Sequence, residues 1–276
     1  MSFRRFLVSA TVLASLACYS AVPSRSSAPV RPSPVVSSSA PAPRASTRTC
    51  AQFGTVPVAA GTYVFQNNVW NSPKKQCASV DPTSGAWTIT RASFDRATNG
   101  PPASYPSIYR GCHWGKCTAR NPLPIQVSRL ASLRSSWSTL PVESGTYNVS
   151  YDIWTHPSPR TSGAPEGSEI MIWLNSRGPV QPAGSKVGTA SIGGATWNVW
   201  TLRMSGWNYI AYQRRAGVSS VSDLDLRAFI LDTVKRGSTN KAWYLIGVEA
   251  GFEIWTGGKG LGSAAFMVNA TASTKT

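Results

Sequence analysis

Two-residue alternation of side chains constrains this chain more than any other feature. In Ser168-Glu169-Ile170-Met171-Ile172-Trp173-Leu174, an extended strand sends Ile170, Ile172 and Leu174 to one face and Glu169, Met171 and Trp173 to the other. The first face is an ordinary apolar core. The second sets a carboxylate in line with a thioether and an indole, where a solvated strand would carry simple polar groups. Residues 248–255 repeat the pattern, with Val248, Ala250, Phe252 and Ile254 opposite Glu249, Gly251, Glu253 and Trp255. Residues 147–154 repeat it again, with Tyr147, Val149, Tyr151 and Ile153 opposite Asn148, Ser150, Asp152 and Trp154.

Short alternating segments between turn clusters continue through the chain and indicate an all-β sandwich or barrel. Strands are expected at 61–70, 86–94, 125–127, 147–155, 168–174, 186–192, 196–201, 207–213, 243–255 and 264–268. A single helix is expected over 223–236. Ser222 would cap it, and Leu226, Phe229, Ile230 and Val234 share one face. Lys235, Arg236 and Gly237 suit its exit.

The chain begins with Arg4-Arg5, a 12-residue mostly apolar run from Phe6 to Ala17 and a small-x-small site at Ser15 and Ala17. Residues 1–17 are therefore expected to be an export signal. Cys18 follows directly, so lipid anchoring at Cys18 is the alternative to plain secretion, and it is the only route to a membrane. Residues 18–47 are rich in Ser, Pro and Ala and read as a tether. The folded domain is expected over 48–276. Export implies an oxidising compartment. Cys50, Cys77, Cys112 and Cys117 allow three pairings, and the short Cys112–Cys117 spacing favours a local bridge that leaves Cys50 to Cys77. Two histidines at unsuitable spacing give no metal site. The net charge is +16, but the cations are scattered as in Lys74-Lys75 and Arg214-Arg215, with no basic helix. This argues against nucleic-acid binding.

Acids are scarce, 11 in 276 residues, and four of them (Asp152, Glu169, Glu249 and Glu253) lie beside tryptophan on the non-core faces of three strands. Paired carboxylates on an aromatic surface suit glycoside hydrolysis, in which one attacks or activates and the other protonates the leaving oxygen. Gln66, Asn68 and Trp70 read as a sugar platform of amides and an indole, and Trp154, Trp173 and Trp255 as further cleft aromatics. Glu249 lies roughly 13 Å along the strand from Glu253, too far to serve the same bond, and reads as a subsite or structural carboxylate.

The stretch 104–117 (Ser-Tyr-Pro-Ser-Ile-Tyr-Arg-Gly-Cys-His-Trp-Gly-Lys-Cys), with Tyr151-Asp152-Ile153-Trp154, Glu169-Ile170-Met171-Ile172-Trp173 and Gly251-Phe252-Glu253-Ile254-Trp255, resembles glycoside hydrolase family 12. The likeness runs from about Cys50 to Val268 and is strongest to bacterial endo-β-1,4-glucanases of that family. It implies a β-jelly roll of two curved antiparallel sheets, with a concave substrate cleft and one helix on the convex side. It implies retention at the anomeric carbon, with Glu169 as nucleophile, Glu253 as acid/base and Asp152 beside the nucleophile. Asn68 and Trp70 match subsite residues, and Met171 and Trp173 match cleft residues. His113 is placed with the substrate-binding set, with a structural role in its tight disulfide loop as the alternative, and residues 178–182 resemble a loop crossing the cleft. Asp152 is expected to hydrogen-bond Glu169. The expected partner is a β-1,4-glucan, acted on by a monomer without cofactor. Xyloglucan or mixed-linkage glucan are alternative substrates. A non-catalytic glucan-binding sandwich, a xylanase and a surface adhesin are the rival readings.

Overall fold

The structure is a computed structural model and describes residues 45–274. The expected signal, Cys18 and all but the last three residues of the expected tether lie outside the described residues. Among the described residues the first strand is Thr47–Thr49, which lies antiparallel to Cys77–Val80.

Two sheets stack face to face. The smaller has six strands in the order Thr47–Thr49, Cys77–Val80, Trp87–Arg91, Gly262–Ala272, Leu130–Leu140 and Ser220–Asp225. The larger is centred on Thr146–His156, with Ser168–Arg177 on one side and Tyr244–Gly251 on the other. Asn208–Arg214, Ala195–Arg203 and Ser185–Ile192 extend it beyond Ser168–Arg177. Ser107–His113, Tyr63–Gln66 and Thr55–Val58 extend it beyond Tyr244–Gly251. One neighbour pair departs from the antiparallel rule: Ser168–Arg177 and Asn208–Arg214 run parallel, with Ser168 opposite Asn208. The chain first makes the outer hairpin of Ser185–Ile192 and Ala195–Arg203, then returns in the same direction.

The alternation holds where it was read. Val149, Tyr151, Ile153, Ile170, Ile172, Leu174, Val248, Ala250, Phe252 and Ile254 all belong to one buried core with Trp87, Trp137 and Phe266 of the smaller sheet. Trp137 packs edge-on against Tyr151 (5.2 Å between centroids) and Phe252 (5.9 Å). Such pairs contribute on the order of 0.5–1.5 kcal/mol beyond the area they bury. The opposite face of the larger sheet also carries apolar residues. Met171, Trp173, Val180, Tyr209, Ala211 and Trp255 form a second apolar cluster there. All eleven residues of Thr146–His156, at the centre of this sheet, are buried.

The helix is shorter than expected, Leu226–Lys235, because Ser220–Asp225 stays extended along the edge of Leu130–Leu140. Asp225, not Ser222, is its cap, accepting from the Ala228 N–H at 3.2 Å. Phe229 packs on Trp197 (4.9 Å) and Tyr212 (5.1 Å), which places the helix on the core side of the larger sheet, as the resemblance implies. The expected strand 243–255 breaks at Phe252 and Glu253. The expected strand 61–70 keeps only Tyr63–Gln66, since Asn68 turns to φ 43°. Strands Ser107–His113 and Leu130–Leu140 were not expected. Both disulfides, Cys50–Cys77 and Cys112–Cys117, form as read.

Candidate active site

The register of three strands assembles the carboxylates. Trp154 is opposite Glu169, and Asp152 is opposite Met171 on one side and Glu249 on the other. Asp152, Glu169 and Glu249 thus share the face away from the core. Glu253 joins them just past the end of Tyr244–Gly251, where one asparagine replaces the missing ladder. The Asn148 N–H donates to the Glu253 carbonyl (3.0 Å), and Asn148 Oδ1 accepts from the Glu253 N–H (2.9 Å). The Asn148 side-chain amide also donates to Glu253 Oε2.

These groups open into a cleft of about 1440 Å³, and every expected site residue lines it: Asp152, Glu169, Glu253, Asn68, Trp70, His113, Trp154, Met171, Trp173 and Trp255. Their roles divide by exposure. Trp70, 46% exposed, is free to stack on a sugar. Trp154, Trp173 and Trp255 are at most 4% exposed, so they form floor and wall and not open platforms. Trp255 is tied by its indole N–H to the Gly100 carbonyl at 2.7 Å, which fixes the 98–102 wall. Val180 of the 178–184 strap docks on the apolar cluster around Trp173. Gly178 and Gly184 bound that strap at φ 84° and 81°. A Cβ at Gly184 would fall 2.1 Å from the Thr201 carbonyl oxygen, so only glycine fits there.

Four contributors were not foreseen. Trp207 donates its indole N–H to Glu169 Oε2 at 2.6 Å. Trp114, 48% exposed, stands at the cleft mouth with its ring edge-on to Trp154 and Trp207, 6.4 Å from each. Asn148 grips Glu253 as described. Tyr209 donates to Met171 Sδ at 3.4 Å. Asn148 had a visible signal, since it shares the face of Asp152. Trp207 had none, because it lies 38 residues from Glu169 in sequence and only the parallel pairing joins them.

The expected Asp152–Glu169 hydrogen bond is absent among the described residues. Asp152 Oδ2 instead accepts from the Trp154 indole at 2.9 Å, and Oδ1 is buried without a partner. The indole N–H two residues along the same strand is the nearer donor, and two carboxylates bond each other only by sharing a proton.

Burial dominates the acidities. It raises Glu253 to about 8, with the Glu169 charge adding to the rise and the Asn148 amide opposing it. It raises Glu169 to about 7, with the Trp207 indole opposing and the Glu249 charge adding. It also holds Asp152 well above the carboxylate range, reinforced first by Glu169 and then by Glu249 and Glu253. The group gripped by an amide is thus the better proton holder, and the group gripped by an indole the readier anion. That split is what a two-carboxylate mechanism requires. Replacing Trp207 with Phe removes the donor that favours ionised Glu169. We expect kcat to fall about tenfold, the loss of one hydrogen bond to a charged group, with KM changing less. Steady-state kinetics on a soluble glucan check this.

A sequence profile described as glycosyl hydrolase family 12 matches residues 61–274. Endoglucanase S of Pectobacterium parmentieri is 32% identical over 210 residues, 71% of this chain and 76% of that protein. A xyloglucan-specific endo-β-1,4-glucanase A of Emericella nidulans is 30% identical over 222 residues, 75% of this chain and 84% of that protein. The crystal structure of a metagenome-derived family 12 endoglucanase superposes with a TM-score of 0.81 at 44% identity, covering 84% of this chain and all of that one. With the sandwich, the cleft and the profile in agreement, the chain belongs to glycosyl hydrolase family 12.

Proposed function

We propose that this protein is a retaining endo-β-1,4-glucanase acting on internal bonds of cellulose or related β-glucans. The observation that carries the reading is the pair of glutamates in one aromatic cleft, with different hydrogen-bond partners and acidities split in the order the chemistry needs. Glu169 attacks the anomeric carbon while Glu253 protonates the departing oxygen. Glu253 then takes a proton from water, which releases the glycosyl-enzyme. Asp152 sits between the strands of Glu169 and Glu249, where burial disfavours a further negative charge beside the nucleophile. Asn68, Trp70 and His113 contact the sugar chain, and Met171, Trp154, Trp173 and Trp255 shape the floor beneath it.

The test is product analysis on carboxymethylcellulose, mixed-linkage glucan and xyloglucan in parallel, with the anomeric form of new ends followed by NMR. Fast loss of viscosity and β-configured new ends are expected. Binding without reducing-sugar release leaves only a glucan-holding sandwich. Cleavage confined to xyloglucan assigns the branched substrate.

The same pair predicts the pH profile. Activity needs Glu169 ionised and Glu253 protonated, so kcat/KM rises as the first loses its proton and falls as the second does. Both limbs are expected above the ordinary carboxylate range, giving a narrow bell with the basic limb set by Glu253. Initial rates at substrate concentrations well below KM, measured across pH, check this. An acidic limb near the ordinary glutamate value counts against the assignment.

The two disulfides fit an oxidising compartment. We infer export through residues 1–17, with 18–47 as a tether, the domain over 48–276 and a monomeric product. Lipidation of Cys18 is the alternative, and the mass of the mature N-terminus distinguishes the two.

A further inference from the structure

A fourth carboxylate lies under the cleft, and the mechanism above does not use it. Glu249 is 1% exposed. Its Oε2 accepts from Ser107 Oγ at 2.9 Å, and its Oε1 meets Nδ1 of His113. Both partners come from Ser107–His113, on which Glu249 is the Cα partner of Tyr109. On its other flank Glu249 is the Cα partner of Asp152.

The backbone is shaped to allow this contact. Gly111 sits opposite Gly247, at φ 106°. A Cβ on Gly111 would lie 2.4 Å from the Ile246 carbonyl oxygen, and one on Gly247 2.6 Å from that of Cys112. Only glycines permit this approach, just before the chain reaches His113. The Cys112–Cys117 disulfide then closes the loop around the histidine. A buried carboxylate is costly unless paired, and here a histidine, a serine, two glycines and a disulfide converge on one that touches no part of the reaction.

We propose that Glu249 and His113 act as a positioning pair that sets the charge felt by Asp152 and by Glu169. The proposal rests on the reading of Glu169 as nucleophile. The groups facing Glu249 are Asp152 from Thr146–His156, Glu169 from Ser168–Arg177, His113 and the phenol of Tyr109 from Ser107–His113, and Tyr105 just before it. Arg110 is engaged elsewhere, donating to the Val268 carbonyl at 2.9 Å. The Glu249 charge adds to the upward shifts of Asp152, Glu169, Tyr105 and Tyr109, which agrees with this placement. The Nδ1–H of His113 offsets that charge, so the two members push the catalytic carboxylates in opposite directions.

Opposite shifts are the test. Glu249→Gln keeps the shape and removes the charge, so the acidic limb of kcat/KM moves down, by about one pH unit. His113→Asn replaces the imidazole with a weaker neutral donor, so the limb moves up. For Glu249→Gln, a residue that does not line the cleft, KM and the basic limb change less; His113 lines the cleft, so its variant is read by the position of the limb alone. Melting temperature is measured alongside. Limbs that stay in place while the melting temperature falls, or that move together, overturn the proposal and leave the pair a purely structural bond. Should Glu249→Gln fail to fold, Ser107→Ala removes one donor from Glu249 without changing charge. It should move the limb up by a few tenths of a unit, and no movement overturns the proposal. Activity surviving in Glu169→Gln would instead sink the nucleophile assignment, which is a separate result.

Discussion

Glu169→Gln is expected to lower kcat on soluble β-glucan by at least about 10⁴-fold, since an amide offers no nucleophile and no other group in the cleft can replace it. The substitution preserves shape, and its carbonyl oxygen can still accept from the Trp207 indole that now bonds Glu169. The fold should survive and become more resistant to alkali. The sign follows from the proton balance. Folding raises Glu169 from its ordinary 4.5 to about 7, so the native state holds this proton more tightly than the unfolded chain does. Wild-type stability therefore falls as pH rises from about 4.5 to about 7, while glutamine has nothing to ionise. The variant's advantage in unfolding free energy, read by denaturant melts, should grow across that window and level off above it, reaching up to about 3 kcal/mol. An inactive variant that melts below wild type at pH 8 would mean that Glu169 holds the sheet together and does not store strain for chemistry.

Glu253→Gln should separate the two steps. On glucan, whose leaving group is a sugar hydroxyl, the missing acid costs about 10²–10⁴-fold. On an aryl glycoside with an acidic phenol, departure needs no proton and the first step should run near the wild-type rate. The glycosyl-enzyme then accumulates for want of a base, giving a burst of phenol followed by slow turnover. Azide needs no deprotonation and should relieve the slow phase. Asn148 can still donate to the amide oxygen, so misplacement is not a ready excuse for failure. Equal losses on both substrates, with no burst, would remove Glu253 from the acid/base role.

The carboxylate-bearing face of the cleft was legible because acids are scarce and each of these sits across a strand from an apolar set. Neighbouring strands turned that local pattern into proximity, as Trp154 opposite Glu169 shows. Leu130–Leu140 was invisible for a physical reason. Its buried face carries Ser135 and Thr139 among Leu133 and Trp137, so hydropathy does not alternate. Those hydroxyls are satisfied inside, with Ser135 bonded to the Met267 carbonyl at 2.6 Å and within 3.0 Å of the Tyr151 hydroxyl. The helix cap was misplaced because a serine followed three residues later by an acid looks like a capping box, while the edge of Leu130–Leu140 was available to keep Ser220–Asp225 extended. Trp207 and His113 reach the site through long-range pairing, and no window of sequence contains both ends of either contact.

Thr146–His156 carries Asp152, lends Asn148 to Glu253, abuts the strand of Glu169, and is buried along its whole length. The proposed catalytic geometry is therefore seated in the part of the sheet that should open last, not in loops that loosen early. Heat should not produce a folded but idle enzyme. Residual activity and tertiary signal should decay together, and efforts to prolong working life at high temperature belong at the sheet edges and connecting loops, where unravelling starts.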